Sequence, residues 1–333
     1  SSVAGVPSRQ FQQIQQYQMI VSENLSATNQ DKANLEEVLK GQDIQAYQKI
    51  YSQMLDKDFK GKAGLQTITL MMTEKEDLIP FIHLQHHQQE LTLKDGVVIT
   101  AKLAQLAGVK VGQTLEIEGK ELKVAAITEN YVGHFIYMSQ ASYEQIYGQL
   151  PQANTYLVSL RDTSATSIER QAGLLMNQSA VSSVVQNASA IRLFDSVASS
   201  LNQTMTILVI VSVLLAIVIL YNLTNINVAE RIRELSTIKV LGFHNNEVTL
   251  YIYRETIVLS LVGIVLGLVS GFYLHQFLIQ MISPATILFY PQVGWEVYAI
   301  PVAAVSIILT LLGFFVNHHL RKVDMLEALK SVE

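Results

Sequence analysis

The stretch "ERIRELSTIKVLGFHNNEV", Glu230–Val248, lies between two long apolar runs. It holds six charged residues, whereas Ser196–Ala229 before it holds none. Such a patch must return to water, so the runs around it decide the architecture. Those runs are Thr204–Leu223 and Thr256–Met281, followed by Val297–Val316. A bilayer core takes about 20 apolar residues per helix, and each run supplies them. None has a polar face to turn to solvent, which argues against buried helices of a soluble protein.

Composition agrees. Of 333 residues, 50% are hydrophobic and 15% charged, against about 25% charged in soluble domains. The charges are unevenly placed. Residues 1–200 carry 16 Lys/Arg and 20 Asp/Glu, while residues 201–333 carry 7 and 8. A water-exposed domain followed by a membrane domain fits this division. With no cysteine, disulfides, thiolate catalysis and cysteine-ligated metals are excluded. A net charge of −5 gives no support to nucleic-acid binding. The opening "SSVAGVPSRQFQQIQQY" lacks the basic and apolar regions of a signal peptide. A transmembrane helix preceding Ser1 is therefore expected.

Basic residues orient the spans. All seven Lys/Arg of the C-terminal part fall in two places. Arg231, Arg233, Lys239 and Arg254 lie between the first two runs, and Arg321, Lys322 and Lys330 follow the third. The loop "ISPATILFYPQVGWE" has none. The connector and C-terminus are thus expected in the cytoplasm, and residues 1–203 outside it. Tyr290, Trp295 and Tyr298 fall where an interfacial aromatic belt would sit.

Within the connector, Val228, Ile232, Leu235, Ile238 and Leu241 form one apolar helical stripe. Glu230, Arg231, Arg233, Glu234 and Lys239 take the other faces. Gly242 is placed to stop that helix, and Asn245 or Asn246 to cap the next. The following helix is expected from about Glu247 to Met281, on the order of 50 Å long. The short helix over 228–241 suits either an element lying in the headgroups or a docking element for a cytoplasmic partner.

These residues also carry a resemblance. Arg231-x-Arg233-Glu234, Leu241-Gly242, Glu255, the glycines Gly263, Gly267 and Gly271, and the terminal "DMLEALKSVE" resemble the membrane core of FtsX-like (MacB-type) ABC transporter permeases. Asp95–Ser139 is similar to the external domain of large Gram-positive permeases of this type, although Gln113 stands where that motif more often has Asp. The resemblance implies that Val228–Leu241 is a coupling helix fitting a separate ATPase subunit. It also implies ATP and Mg bound by that partner with no cofactor in this chain, and mechanotransmission to an external domain handling peptides, lipids or lipoproteins. It further implies a bacterial plasma-membrane location, with a second permease module or homodimer and an extracytoplasmic protein or peptide as further partners. A non-transporting signal protein that activates a cell-wall hydrolase or senses antimicrobial peptides shares every one of these features.

The expected organisation is an α+β domain of mixed β-α-β pieces over 1–187, a stalk helix over 188–203, and an all-α FtsX-like membrane domain over 204–333 with a tail from 317. Expected helices are Asp31–Lys40, Val97–Ala107, Ala141–Gly148 and Ser164–Met176. Expected strands include Ile44–Tyr51, Leu65–Met72, Leu122–Thr128 and Ser182–Val185, with a hairpin turn at Glu118-Gly119-Lys120. Gly263, Gly267 and Gly271 recur every four residues and are expected to admit another helix at close range, with Ala216, Ala303 or Ala304 opposite. His83, His86 and His87 near Glu90 are better read as a polar turn than as a metal site. His318 and His319 read as helix-end residues, and Glu74, Glu76 and Asp77 as a solvated loop. Arg254 and Glu255 sit where ionisable groups are either functional or snorkelling, and Glu255 is the transmission candidate. HExxH, GxSxG and P-loop motifs do not occur, so no hydrolytic activity is expected of this chain.

Overall fold

The computed structural model describes residues 6–322, apart from 62, 75–77, 79–80, 87–88, 232–233, 235–236, 239–240, 243, 283 and 289–293. It divides into two compact units, Ser1–Ala198 with Ile282–Pro291, and Ser199–Met281 with Gln292–Glu333.

The first unit is a mixed α/β domain. A short helix α1 (Val6–Ser8) passes into a π-helical turn at Arg9–Ile14. Then follow β1 (Met19–Glu23), α2 (Asn29–Leu39), β2 (Ile44–Phe59), β3 (Gly64–Thr73), β4 (Gln85–His86), β5 (Gln89–Glu90) and β6 (Val97–Thr100). Next come α3 (Ala101–Ala107), β7 (Thr114–Ile117), β8 (Lys120–Thr128), β9 (His134–Ser139), α4 (Gln140–Tyr147), β10 (Thr155–Leu160), α5 (Ala165–Met176) and β11 (Val181–Gln186). Nine strands form one sheet in the order β11-β1-β10-β2-β3-β9-β6-β8-β7.

The 16-residue β2 is the spine. Its first half pairs antiparallel with β10 and its second half with β3. Each half of the sheet has its own apolar cluster. Met19, Leu35, Tyr156 and Leu175 join β1 and β10 to α2 and α5. Leu55, Ile68, Leu103, Val124 and Ile136 join β2, β3, β8 and β9 to α3. A third cluster, including Ile14, Tyr17, Phe81 and Tyr137, brings in the N-terminal segment. At the end of β1 the buried Glu23 carboxylate accepts from Lys49 Nζ at 2.6 Å and Tyr156 Oη at 2.8 Å, pinning β1, β2 and β10 together.

Several features differ from the sequence reading, among them the strand expected over Ile44–Tyr51, which runs on to Phe59. Val97–Ala107 is not one helix. Val97–Thr100 is a fully buried strand between β9 and β8, and the helix starts only at Ala101. Three of its four residues are β-branched Val or Ile, and burial on both faces removes the alternation that marks a strand. β1 is not among the expected strands because its apolar run, Met19-Ile20-Val21, is only three residues long, yet it lies between β10 and β11. The helix expectations elsewhere match α2, α4 and α5 within about two residues, the usual boundary scatter. Thr28 and Asp31 make a capping box at α2, and Ser139 and Ser164 cap α4 and α5.

The second unit is helical. Helix α6 (Asn187–Glu230) has 44 residues, α7 (Asn245–Ile282) has 38 and α8 (Glu296–Lys322) has 27. All three are long and apolar enough to cross a membrane. Leu208, Ile210, Leu214, Leu266 and Phe314 stand exposed, as lipid-facing side chains would. The helix holding the first apolar run begins at Asn187, with no Gly or Pro to break it.

The first unit yields two stability predictions. Gly96 has φ 144°, and a Cβ there would strike the carbonyl oxygen of Lys123. Gly96→Ala should cost about 1–3 kcal/mol, read as a lowered unfolding midpoint. His134 is 2% exposed and neither ring nitrogen has a hydrogen-bond partner. Burial, then the nearby Lys102 charge, holds its pKa below the ordinary value. The unfolded chain therefore takes up this proton first as pH falls below about 6.5, and stability falls with it. Thermal denaturation should show a lower midpoint at about pH 5.5 than at about pH 7.5, and His134→Leu should lessen that dependence.

Candidate functional site

The charged connector starts inside α6 rather than as a helix of its own. Val228 and Glu230 lie in the last turn of α6, so the expected start at Val228 is corrected. The reason is continuity: nothing between Leu223 and Glu230 is a helix breaker. The chain turns at Arg231 and is helical again at Glu234, Thr237 and Ile238. The Leu241 N–H donates to the Thr237 carbonyl at 3.1 Å. Gly242 then takes φ 94°, the left-handed stop its position implied. Ile232, Arg233, Leu235 and Lys239 lie outside the described residues.

Asn245 and Asn246 do not occupy the cap. They lie in the first turn of α7, which begins two residues before the expected start. His244 precedes that turn, and its backbone N–H donates to the Glu247 carboxylate at 2.9 Å. A carboxylate at this place also complements the partial positive charge of a helix N-terminus.

Two residues singled out separately from the sequence come together here. Arg231 Nη2 donates to Glu255 Oε2 at 2.7 Å. The pair joins the turn after α6 to the early part of α7, across 24 positions of sequence. Both groups are partly exposed, so the pair contributes little stability, about 0–1 kcal/mol. Its effect is positional. On the apolar side, Ile238 packs against a cluster holding Val228, Val248, Tyr253, Ile308 and Leu312. By contrast Leu241 is 73% exposed, and Glu234 is exposed as well. The end of the connector thus presents a large apolar side chain beside charge, held by contacts at its base.

Two contacts have no sequence signal beyond residue type. Tyr253 Oη donates to the Leu309 carbonyl at 2.9 Å. Its ring lies beside Gly313, where a Cβ would sit 3.6 Å from the ring. Gly313 therefore brings α7 and α8 close, and a search for regularly spaced glycines does not find a single one.

Gly263, Gly267 and Gly271 behave differently from Gly313. Beyond the backbone of their own helical turns and their chain neighbours, no atom lies within 4 Å of a Cβ built on any of the three. They line an open apolar groove of about 640 Å³, together with Ala216 of α6 and Pro301 of α8. Within this chain they face space, not a packed helix. Elsewhere, His86 belongs to the small β4–β5 ribbon, and the His83 N–H donates to the Ile14 carbonyl at 2.8 Å. His87, Glu76 and Asp77 lie outside the described residues. No group of three metal-ligating side chains occurs among the described residues.

Residues 206–325, which contain the connector, its ion pair and the glycine groove, match the family of FtsX-like permease C-terminal domains. Over this segment the chain is similar to FtsX-like permeases. Comparison with curated proteins returns no match. Among solved structures, the periplasmic region of MacB from Actinobacillus actinomycetemcomitans is 12% identical, with a TM-score of 0.32, covering 55% of this chain and 94% of that one. The extracellular domain of the noncanonic ABC-type transporter YknZ from Gram-positive bacteria is 13% identical, with a TM-score of 0.29, covering 51% and 98%.

The open groove yields a direct prediction. Gly267→Leu should not lower the chain's own folding stability, and should raise it by at most about 1 kcal/mol through helix propensity, measured by thermal denaturation in detergent. A loss above about 2 kcal/mol would mean that this face is packed within the folded chain.

Proposed function

We propose that the chain is the membrane subunit of an ABC transporter of the FtsX-like type. In this reading the connector, residues 231–242, docks on a separate cytoplasmic ATPase that binds ATP and Mg. The ATPase's closure moves α7 through the Arg231–Glu255 pair and through the Ile238 cluster. Helix α6 carries the movement on toward the α/β domain, which lies outside the cytoplasm with the C-terminus inside. The cargo classes are peptides, lipids or lipoproteins handled at that domain.

The observation that carries this reading is the exposed Leu241 at the end of a helix that family-matched sequence surrounds. An apolar side chain at the tip of a charged connector gains little from water and much from a protein groove. The four basic residues around the connector support its cytoplasmic placement. Glu255 serves as the transmission residue because it receives Arg231 from the connector.

The test is substitution at the exposed tip. Leu241→Asp should weaken association with the ATPase by at least about tenfold, or about 1.4 kcal/mol, while the permease remains folded and monodisperse. The measurement is co-purification and permease-stimulated ATP hydrolysis in a reconstituted complex. Unchanged association and stimulation would remove the connector from the interface.

A further inference from the structure

The loop between α7 and α8 belongs to the α/β unit, not to the helical one. The chain leaves the α/β unit after Ala198, re-enters it at Ile282 and leaves again after Pro291. Within that excursion, Ile287 pairs antiparallel with Val132. The Gly133 N–H donates to the Thr286 carbonyl at 2.8 Å, and the Leu288 N–H donates to the Tyr131 carbonyl at 2.9 Å. The Leu288 side chain packs against the cluster of Ile14, Tyr17 and Tyr131. Phe194 of α6 packs against that same cluster, and Val6 of the N-terminal segment is part of it.

The receiving turn, Asn130–Gly133, is itself held by buried amides. Gln10 is 0% exposed and Asn130 1%. Gln10 Nε2 donates to Asn130 Oδ1 at 2.8 Å, and Gln10 Oε1 accepts from the Tyr131 N–H at 2.8 Å. Asn130 Nδ2 donates to the Val132 carbonyl at 2.7 Å. Apolar side chains could fill this space, but they would not fix which backbone groups of the turn point outward. Paired amides do, because each donor and acceptor admits one arrangement. The result leaves Tyr131 O and Gly133 N–H presented as a short strand edge to the loop.

We propose that Gln10 and Asn130 are positioning residues of a permanent clamp that fastens the α7–α8 loop to the α/β domain. Displacement of α7 and α8 then reaches that domain by a route separate from α6. The proposal rests on the transmission reading above for its consequence, but the clamp itself does not depend on it.

The cysteine-free chain makes the test clean. The two cross-strand hydrogen bonds flank Val132 and Ile287, so these form a non-hydrogen-bonded pair with Cα atoms about 4.5 Å apart, within disulfide range. The full-length protein carrying Val132→Cys and Ile287→Cys should cross-link nearly completely under mild oxidation, read by loss of thiol labelling. Val132→Cys with Pro284→Cys should not. With the ATPase present, the cross-linked form should keep stimulated hydrolysis within about twofold of the uncross-linked form, under about 0.4 kcal/mol. Gln10→Leu should reduce cross-linking and lower stimulation at least fivefold with ATPase association retained. Completing the disulfide in the Gln10→Leu background should restore stimulation, which general destabilisation would not allow. Failure to cross-link in folded protein overturns the clamp. So does a cross-linked form that loses stimulation, because the contact would then have to open, and so does a Gln10→Leu variant that behaves as wild type. If the ATPase never associates with wild-type protein, the transporter reading falls, while the cross-linking yields with and without Gln10→Leu still decide the clamp.

Discussion

A peptide group in hydrocarbon has no water to bond, so each segment that crosses a bilayer must satisfy its backbone internally. That constraint shapes the C-terminal part of this protein. It makes α6, α7 and α8 continuous helices, each long and apolar enough to span. It also expels the charges into the connector and the ends. Once expelled, they can pair with one another. The Arg231–Glu255 pair and the Glu247 bond to the His244 N–H set the connector's geometry at the start of α7. The apolar cluster around Tyr253 and Ile308 holds its base. The exposed Leu241 follows from these anchors, since the stripe's last residue extends past the cluster that buries Ile238.

The α/β unit solves a different problem. Its sheet has nine strands, wide enough to need separate helix layers along its length. β2 resolves this by serving both halves in one strand. Its first residues face α2 and α5 through one cluster, and its last residues face α3 through another. The third cluster is distinct in membership. It gathers the N-terminal segment, Phe194 of α6 and Leu288 of the loop. The chain connections that lead to and from the helical unit therefore converge on one apolar body.

Much of the protein is legible in its residues alone. The three spans follow from length and apolarity, and the Gly242 stop from a glycine after the last stripe residue. The helices α2, α4 and α5 carry their caps in the sequence as Thr28, Ser139 and Ser164. Strand β6 is not legible, because a fully buried strand loses its alternation and Val-Val-Ile-Thr runs directly into helix-forming Ala101. The extent of α6 past Val228 is also hidden. An amphipathic stripe reports which face is apolar, and it does not report where one helix ends and another begins. The glycine series illustrates the converse. Regular spacing points to Gly263, Gly267 and Gly271, yet the close approach within this chain is at the isolated Gly313.

Local features need nothing beyond the order of residues: spans, charge placement, turn glycines and caps, and the similarity of residues 206–325 to FtsX-like permease C-terminal domains. These rest on properties of single residues and of neighbours within a few positions. Pairings across distance come from the folded chain alone. Arg231 meets Glu255, Gln10 meets Asn130 across 120 positions, and Ile287 meets Val132. Amide and guanidinium groups have many potential partners in a chain of this size. Only the folded arrangement, which buries Gln10 and Asn130 away from water and so obliges each to find a partner, selects among them.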